Sequence, residues 1–195
     1  MTILSKKEGL LRISTYGIPH PNWIIIDKPS ELPSSEWCEA PNGWSIRCAP
    51  NINYKFALPS FHYQSFNTIK STLHSIVNSI SMNTSYVIYP SWNFKYSGCL
   101  SVNSYRLLIE VVRGDIANLL RGKKKPGMIL SYSAPRFNRL VEKIGEPIIT
   151  NGDLSELLSI GRDIYEDDKE RVLEWTKTTD NNLFIHDWIE IQSFY

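Results

Sequence analysis

The C-terminal segment constrains the fold of this chain more than any other stretch. Arg171-Val172-Leu173-Glu174-Trp175-Thr176 and Leu183-Phe184-Ile185-His186-Asp187-Trp188-Ile189-Glu190 alternate apolar and polar residues and are rich in β-branched and aromatic types. Each therefore predicts a strand. Thr179-Asp180-Asn181-Asn182 between them suits a turn, because Asn and Asp tolerate positive φ. A loop of two or four residues centred on Asp180 and Asn181 pairs Glu174 with Asp187, with Val172, Thr176, Ile185 and Ile189 on the same face. Two carboxylates opposed across a ladder repel, and an apolar setting makes the repulsion worse. A divalent cation removes the conflict, since Mg²⁺ is typically held by one or two carboxylates together with phosphate oxygens. A register slipped by one residue would instead send one carboxylate to solvent. By strand alternation His186 points away from Asp187, and no histidine–carboxylate pair is expected there.

At 195 residues the chain can bury one sizeable core, as a single domain or as two tightly packed lobes. Its 42% hydrophobic and 21% charged residues are ordinary for a soluble globular protein. A net charge of +1 offers no electrostatic case for nucleic acid or a membrane as the main partner. No apolar run approaches the span of a bilayer, and the opening Met1–Glu8 lacks the apolar core of a signal peptide. Cys38, Cys48 and Cys99 are odd in number and match no metal spacing, so a reduced, cytoplasmic setting is expected.

In chain order, Ser5-x-x-Glu8 followed by Leu10, Leu11 and Ile13 predicts a short capped helix over 5–16. Trp23–Ile26 reads as a buried strand, 27–43 as a loop, Gly43–Pro50 as a strand, and 51–60 as irregular. Helical spacing covers 62–81, through Phe66, Ile69, Leu73, Ile76, Val77 and Ile80. Strands follow at Tyr86–Pro90, Ser97–Val102 and Arg106–Arg113, then a helix Ile116–Leu120 capped by Asp115, and a basic loop Arg121–Gly127. Met128–Tyr132 predicts a strand, Pro135–Lys143 a helix, and Asp153–Lys169 a longer helix before the terminal hairpin. The sum is an α+β chain of two small lobes with a mainly antiparallel sheet, divided into 1–84 and 85–195.

Several side chains stand out against blander readings. Glu110 lies in an otherwise apolar strand, where an unpaired carboxylate is costly. It either joins Glu174 and Asp187 around a cation or pairs with Arg106, Arg113 or Arg162. Arg47 ends a strand beside the small residues Ser45, Cys48 and Ala49, and its rigid fork suits phosphate oxygens, although a surface arginine would look the same. Lys7 reads as a solvated lysine or as support for phosphate charge. Lys123-Lys124-Lys125 is a charge run that is solvated or contacts phosphate. His20, His62, His74 and His186 show no metal spacing, and no catalytic triad or Walker-type loop is present.

Taken together the segments resemble a shortened ATP-grasp nucleotide-binding domain of the pyruvate phosphate dikinase and phosphoenolpyruvate synthase family. Lys7 followed by Gly17-Ile-Pro19-His-Pro21-Asn-Trp23-Ile-Ile is similar to that family's opening glycine–lysine segment and proline-rich stretch, with Asn22 in place of a glycine. Ser45-Ile46-Arg47-Cys48-Ala49 resembles its A-V-R-S-S, and Tyr86-Val-Ile-Tyr89 with Ser97-Gly98-Cys99-Leu100 its hinge strand and S-G-x-L. Ile109-Glu110-Val-Val-Arg113-Gly114, then Gly122 to Pro126, resembles its next motif pair. Leu173-Glu174-Trp175 and Leu183–Glu190 resemble its closing strands, with Asp187 where the family has glutamine.

The resemblance implies a protein that binds ATP and Mg²⁺ for phosphoryl transfer or acyl-phosphate formation on an unknown acceptor, with that acceptor substrate or a protein as its partner beside the nucleotide. It also allows a degenerate fold that serves as a protein-interaction module. It implies that Lys7 and Arg47 contact phosphates, that backbone groups around Val87, Ile88 and Tyr89 hold adenine, that Glu110 lies near ribose or metal, and that Glu174 and Asp187 bind Mg²⁺. With no phosphohistidine domain or carboxylate-activating barrel in the sequence, a complete dikinase is not expected.

Overall fold

The computed structural model describes residues 4–50, 58–79, 83–120, 125–167 and 169–192. The expected irregular backbone over 51–57 and most of the basic loop, Arg121 to Lys124, lie outside the described residues. The chain packs as two units, one built on Ser5–Glu8 with Pro21–Asn93 and the other on Gly9–His20 with Phe94–Tyr195.

The smaller unit is a four-stranded antiparallel sheet in the order β1-β4-β2-β3, with β1 Ile24–Ile26, β2 Trp44–Pro50, β3 Ser60–Gln64 and β4 Thr84–Pro90. Helix α2 (Phe66–Ser79) presents Phe66, Ile69, Leu73 and Ile76, spaced to form one stripe. These meet Ile26, Trp44, Ile46, Cys48, Tyr86 and Ile88 in one core. Successive strand residues point to opposite faces, so Ser45, Arg47, Ala49, Ser85, Val87 and Tyr89 share the other face.

The larger unit is a six-stranded antiparallel sheet in the order β10-β9-β5-β6-β7-β8. Its strands are β5 Phe94–Val102, β6 Arg106–Arg113, β7 Met128–Ser133, β8 Leu140–Gly145, β9 Lys169–Thr178 and β10 Leu183–Gln192. A short helix α3 (Ala117–Leu120) follows β6, its first turn capped by Asp115 accepting from the Ala117 amide at 2.9 Å. One face of the sheet carries Leu100, Val102, Leu107, Ile109, Leu130, Leu173, Trp175 and Trp188, all buried. Helix α4 (Asn151–Asp163) packs on this face, so closely that a Cβ at Gly161 would lie 2.1 Å from Leu107. From Gly9 onward, helix α1 (Lys6–Thr15) packs on β10, and a Cβ at Gly9 would lie 2.3 Å from the Trp188 carbonyl oxygen.

Local capping agrees with the sequence at α1, where the Ser5 amide donates to Glu8 at 2.7 Å and the Glu8 amide returns to the Ser5 hydroxyl at 3.3 Å. Three expectations are corrected. The 62–81 helix begins only at Phe66, because Ser65 takes the Thr68 amide at 3.2 Å as a cap, and His62 to Gln64 belong to β3. The 135–143 helix does not form. Phe137 sits at φ 49 with its side chain fully buried, the Ser133 amide donates back to the Arg139 carbonyl at 3.0 Å, and Leu140–Gly145 is a strand. Short apolar runs such as Leu140, Val141 and Ile144 fit either period, and pairing with β7 decides between them. Helix α4 starts two residues before the expected Asp153, because the box is Thr150-x-x-Asp153, and it ends at Asp163, with Lys169 already in β9.

Candidate active site

The second face of the larger sheet is polar. Cross-strand partners in an antiparallel ladder point the same way, and one row runs Asp187↔Glu174↔Cys99↔Glu110 across β10, β9, β5 and β6. Ser97, Ser101 and Thr176 lie on the same face in the adjoining rows. Glu174 (8% exposed) and Asp187 (5% exposed) are buried directly opposite each other. Glu110 is half-buried and two strands from Glu174, which places their Cα atoms roughly 10 Å apart at the usual strand spacing. Among the described residues no three His, Cys, Asp or Glu side chains close into a ready-made metal cage.

The route by which Asp187 meets Glu174 differs from the even-numbered loop expected. The Thr178 amide donates to the Asn182 carbonyl at 2.9 Å, leaving a three-residue loop with Asn181 at φ 63. That register pairs Leu183 with Lys177 and Ile185 with Trp175, and carried on it would set His186 against Glu174. A bulge between Ile185 and Asp187 absorbs one residue and restores Asp187 to the acidic row. His186 is thereby turned toward Glu174 rather than away, with Nδ1 3.8 Å from Oε2. Its Nε2 lies 3.1 Å from the Thr176 hydroxyl, which lies 3.1 Å from the Ser97 hydroxyl. Strand alternation missed this histidine–carboxylate contact because a bulge is invisible to a period of two.

Cys99 separates Glu174 from Glu110 in the row. Burial first, then Glu174, Glu110 and Asp187, push its thiol up to about 12, so it stays protonated at neutral pH. It therefore acts as a small neutral spacer between two acids. Asp187 accepts the Trp188 amide at 3.0 Å through Oδ1. The donor set of two buried, directly opposed carboxylates fits a hard divalent cation such as Mg²⁺, whose charge would offset their mutual repulsion.

In the smaller unit, Arg47 is the cross-strand partner of Val87, and Tyr89 lies beyond Val87 on the same face. Lys7 donates to both carboxylate oxygens of Asp27, at 2.8 and 3.0 Å, and Asp27 also accepts from Ser85 of that face. The Lys7 ammonium, then the Ser85 hydroxyl, hold the Asp27 carboxyl below its ordinary range. The structure thus gathers Lys7, Arg47, Val87 and Tyr89 on one side of the small sheet. Ile88 is turned into the core behind it. Strand β4 is interior, with β1 and β2 on either side of Val87 and Ile88, and Tyr89 lies one residue past the last β1 pair. Asp27, Cys99 and His186 are the neighbours that sequence reasoning did not place.

No protein-family model matches the sequence, and no curated protein matches it. Solved structures do. D-alanyl-alanine synthetase A from Vibrio cholerae superposes with a TM-score of 0.56 at 8% identity, covering 95% of this chain and 54% of that one. The L-amino acid ligase from Bacillus licheniformis gives 0.55 at 6% identity over 95% of this chain and 42% of that one. The D-alanine–D-alanine ligase from Bacillus anthracis, complexed with ATP, gives 0.53 at 14% identity over 94% and 53%. The fold is ATP-grasp. The chain spans about half the length of those ligases. At these identities the likeness establishes the ATP-grasp architecture, and it does not single out the dikinase branch of that fold.

Proposed function

We propose that this ATP-grasp chain binds ATP with Mg²⁺ and uses it to activate an acceptor, by acyl-phosphate formation or by direct phosphoryl transfer. One observation carries the reading: a six-stranded sheet packs most of its apolar core on one face and sets two buried, opposed carboxylates among hydroxyls on the other. Burying like charges together costs stability, and a site for a cation accounts for that cost. Glu174 and Asp187 would hold the ion, and Glu110 would face the ribose or a second ligand position. When bound, the ion would draw charge from the transferring phosphate. Cys99 keeps Glu110 apart from the pair, and Thr176 holds His186 with its other ring nitrogen 3.8 Å from Glu174.

In the smaller unit, Arg47 and Lys7 would take phosphate oxygens, with Asp27 holding Lys7 in place until they arrive. The adenine contact expected at Val87, Ile88 and Tyr89 would fall toward Tyr89, where β4 outruns β1. Similarity to ligases favours an acyl phosphate over the phosphohistidine route of the dikinase family. In that chemistry an acceptor carboxylate oxygen bonds to the γ-phosphorus as ADP leaves, and a nucleophile then displaces phosphate. The retained carboxylate pair also speaks against a fold kept only as an interaction module.

Thermal unfolding with ATP, ADP and GTP, each with and without Mg²⁺, tests the reading. A ligand at about a hundredfold its dissociation constant stabilises by about 3 kcal/mol, so a Mg²⁺-dependent rise with ATP is expected. Glu174→Gln should weaken Mg²⁺-dependent nucleotide binding at least about tenfold while the melting temperature of the free protein holds or rises, since one of two opposed buried charges is gone. No shift with any nucleotide would overturn the function, and undiminished binding by Glu174→Gln would overturn the metal assignment alone.

A further inference from the structure

The six-stranded sheet ends, among the described residues, at β8. All six residues of this strand are exposed, including Leu140 (45%), Val141 (64%) and Ile144 (50%). Its inner edge pairs with β7, and no described strand lies on its outer edge. An open edge presents a row of main-chain donors and acceptors that another strand can take up. Proteins usually blunt such edges with charge, proline or a covering segment. Here the adjacent pair Glu142 and Lys143 sits between Leu140-Val141 and Ile144, one charge of each sign, so the strand itself is neutral and keeps three exposed apolar side chains.

The turn that leads into β8 is held firmly. Phe137 is fully buried and meets the Tyr165 ring edge-on at 5.4 Å. The Ala134 amide donates to the Tyr105 carbonyl and the Phe137 amide to the Ser133 carbonyl, both at 3.0 Å, while Arg162 Nε donates to the Arg136 carbonyl at 3.2 Å. This frame displays Arg136 and Arg139 at the start of the strand, with Arg106 opposite Ser133 two strands in and Tyr105 73% exposed. Among the described residues none of the Arg106, Arg136 and Arg139 side chains takes part in an ion pair.

We propose that β8 is a docking edge to which an extended peptide of alternating acidic and apolar residues adds as a further strand, with Arg136 and Arg139 receiving its carboxylates. Charge complementarity sets the partner's chemistry: the Arg136 and Arg139 guanidinium groups, without an ion pair among the described residues, stand at the start of a backbone edge that carries Leu140, Val141 and Ile144 and whose own Glu142 and Lys143 offset each other. Main-chain pairing supplies affinity, and alternate side chains supply selection. A nucleic acid could meet the arginines but has no use for the open backbone edge, and the chain's net charge of +1 gives it no wider basic surface.

The test uses a fluorescein-labelled Val-Glu repeat peptide of about eight residues, a length that matches a typical strand. A Val-Lys repeat of equal length and a single-stranded oligothymidine serve as comparison probes. Binding is followed by anisotropy, and hydrogen exchange is measured on the β8 amides of the intact chain. The Val-Glu peptide should bind, protect β8 amides, and lose at least about tenfold in affinity with Arg136→Glu/Arg139→Glu. Arg136→Lys/Arg139→Lys should retain most of the binding. An unchanged unfolding midpoint confirms that the charge-reversed variant is folded. If it is not folded, the wild-type exchange pattern and the lysine variant decide. No binding, binding without protection of β8, binding indifferent to charge reversal, or tighter binding of oligothymidine would each overturn the proposal.

Discussion

Asp153 is 4% exposed yet carries three side-chain hydrogen bonds, from Lys177 at 2.7 Å, from Thr150 at 2.6 Å and from the Tyr96 hydroxyl. Burial raises its pKa, but the bonds to Lys177, Thr150 and Tyr96 outweigh it and bring the carboxyl down to about 2, from an ordinary 3.8. The folded value lies below the unfolded one, so the stabilisation is fully present above about pH 4 and is lost as pH falls toward 2. The shift corresponds to about 2 kcal/mol. Asp153→Asn should therefore lower stability near neutral pH by about that much, and it should flatten the acid limb of a urea-unfolding series between pH 4 and 2. An unchanged acid limb would show that the bonds to Lys177 and Tyr96 carry no net stability. A second buried charge is tied down in the same unit: Arg171, 1% exposed, bonds Glu190 at 3.0 Å and also meets Glu166 and the Ile164 carbonyl. Such a group is tolerated inside only because its donors are occupied.

The elements of the larger unit are set against one another with little slack. At Gly98 in β5, an added methyl group would lie 1.9 Å from the Glu110 carbonyl oxygen and 2.7 Å from the Trp175 ring. The glycine lets the indole lie against the apolar face of the sheet, directly behind the acidic row. Gly98→Ala must move either a central strand or a fully buried tryptophan, and overpacking of that kind costs about 1–3 kcal/mol or more. Its denaturant midpoint should drop accordingly, with weaker Mg²⁺-dependent nucleotide binding if the row is displaced. A midpoint within error of the wild type would mean that β5 and β6 separate more easily than their ladder suggests. The terminal hairpin shows two irregularities that cancel. An odd loop shifts the register by one, and the bulge at His186 shifts it back, so the acidic row survives on the polar face.

For the whole molecule, charge is nearly balanced, with an isoelectric point near 7.7. Solubility should pass through a minimum near that pH and recover about one unit to either side, measured as protein left in solution after concentration. No helix among the described residues is long and apolar enough to cross a membrane. Much of this architecture was legible beforehand. The capping box at Ser5 and Glu8, the strands around Arg47, Val87 and Glu110, and the terminal hairpin all follow from side-chain type and period, which are local properties of the chain. Three things were not: β8 in place of a helix, the turn of His186 toward Glu174, and Cys99 as the spacer between two acids. Each depends on which strand lies beside which, and in what register. A period of two says that side chains alternate, but it does not say toward which neighbour, and one extra residue in a strand reverses every side chain beyond it. Local side-chain chemistry sets which segments can form strands and which acids can oppose each other. Only the packed sheet decided that they stand in one row, because pairing between residues far apart in the chain selects a single register from several that local chemistry permits.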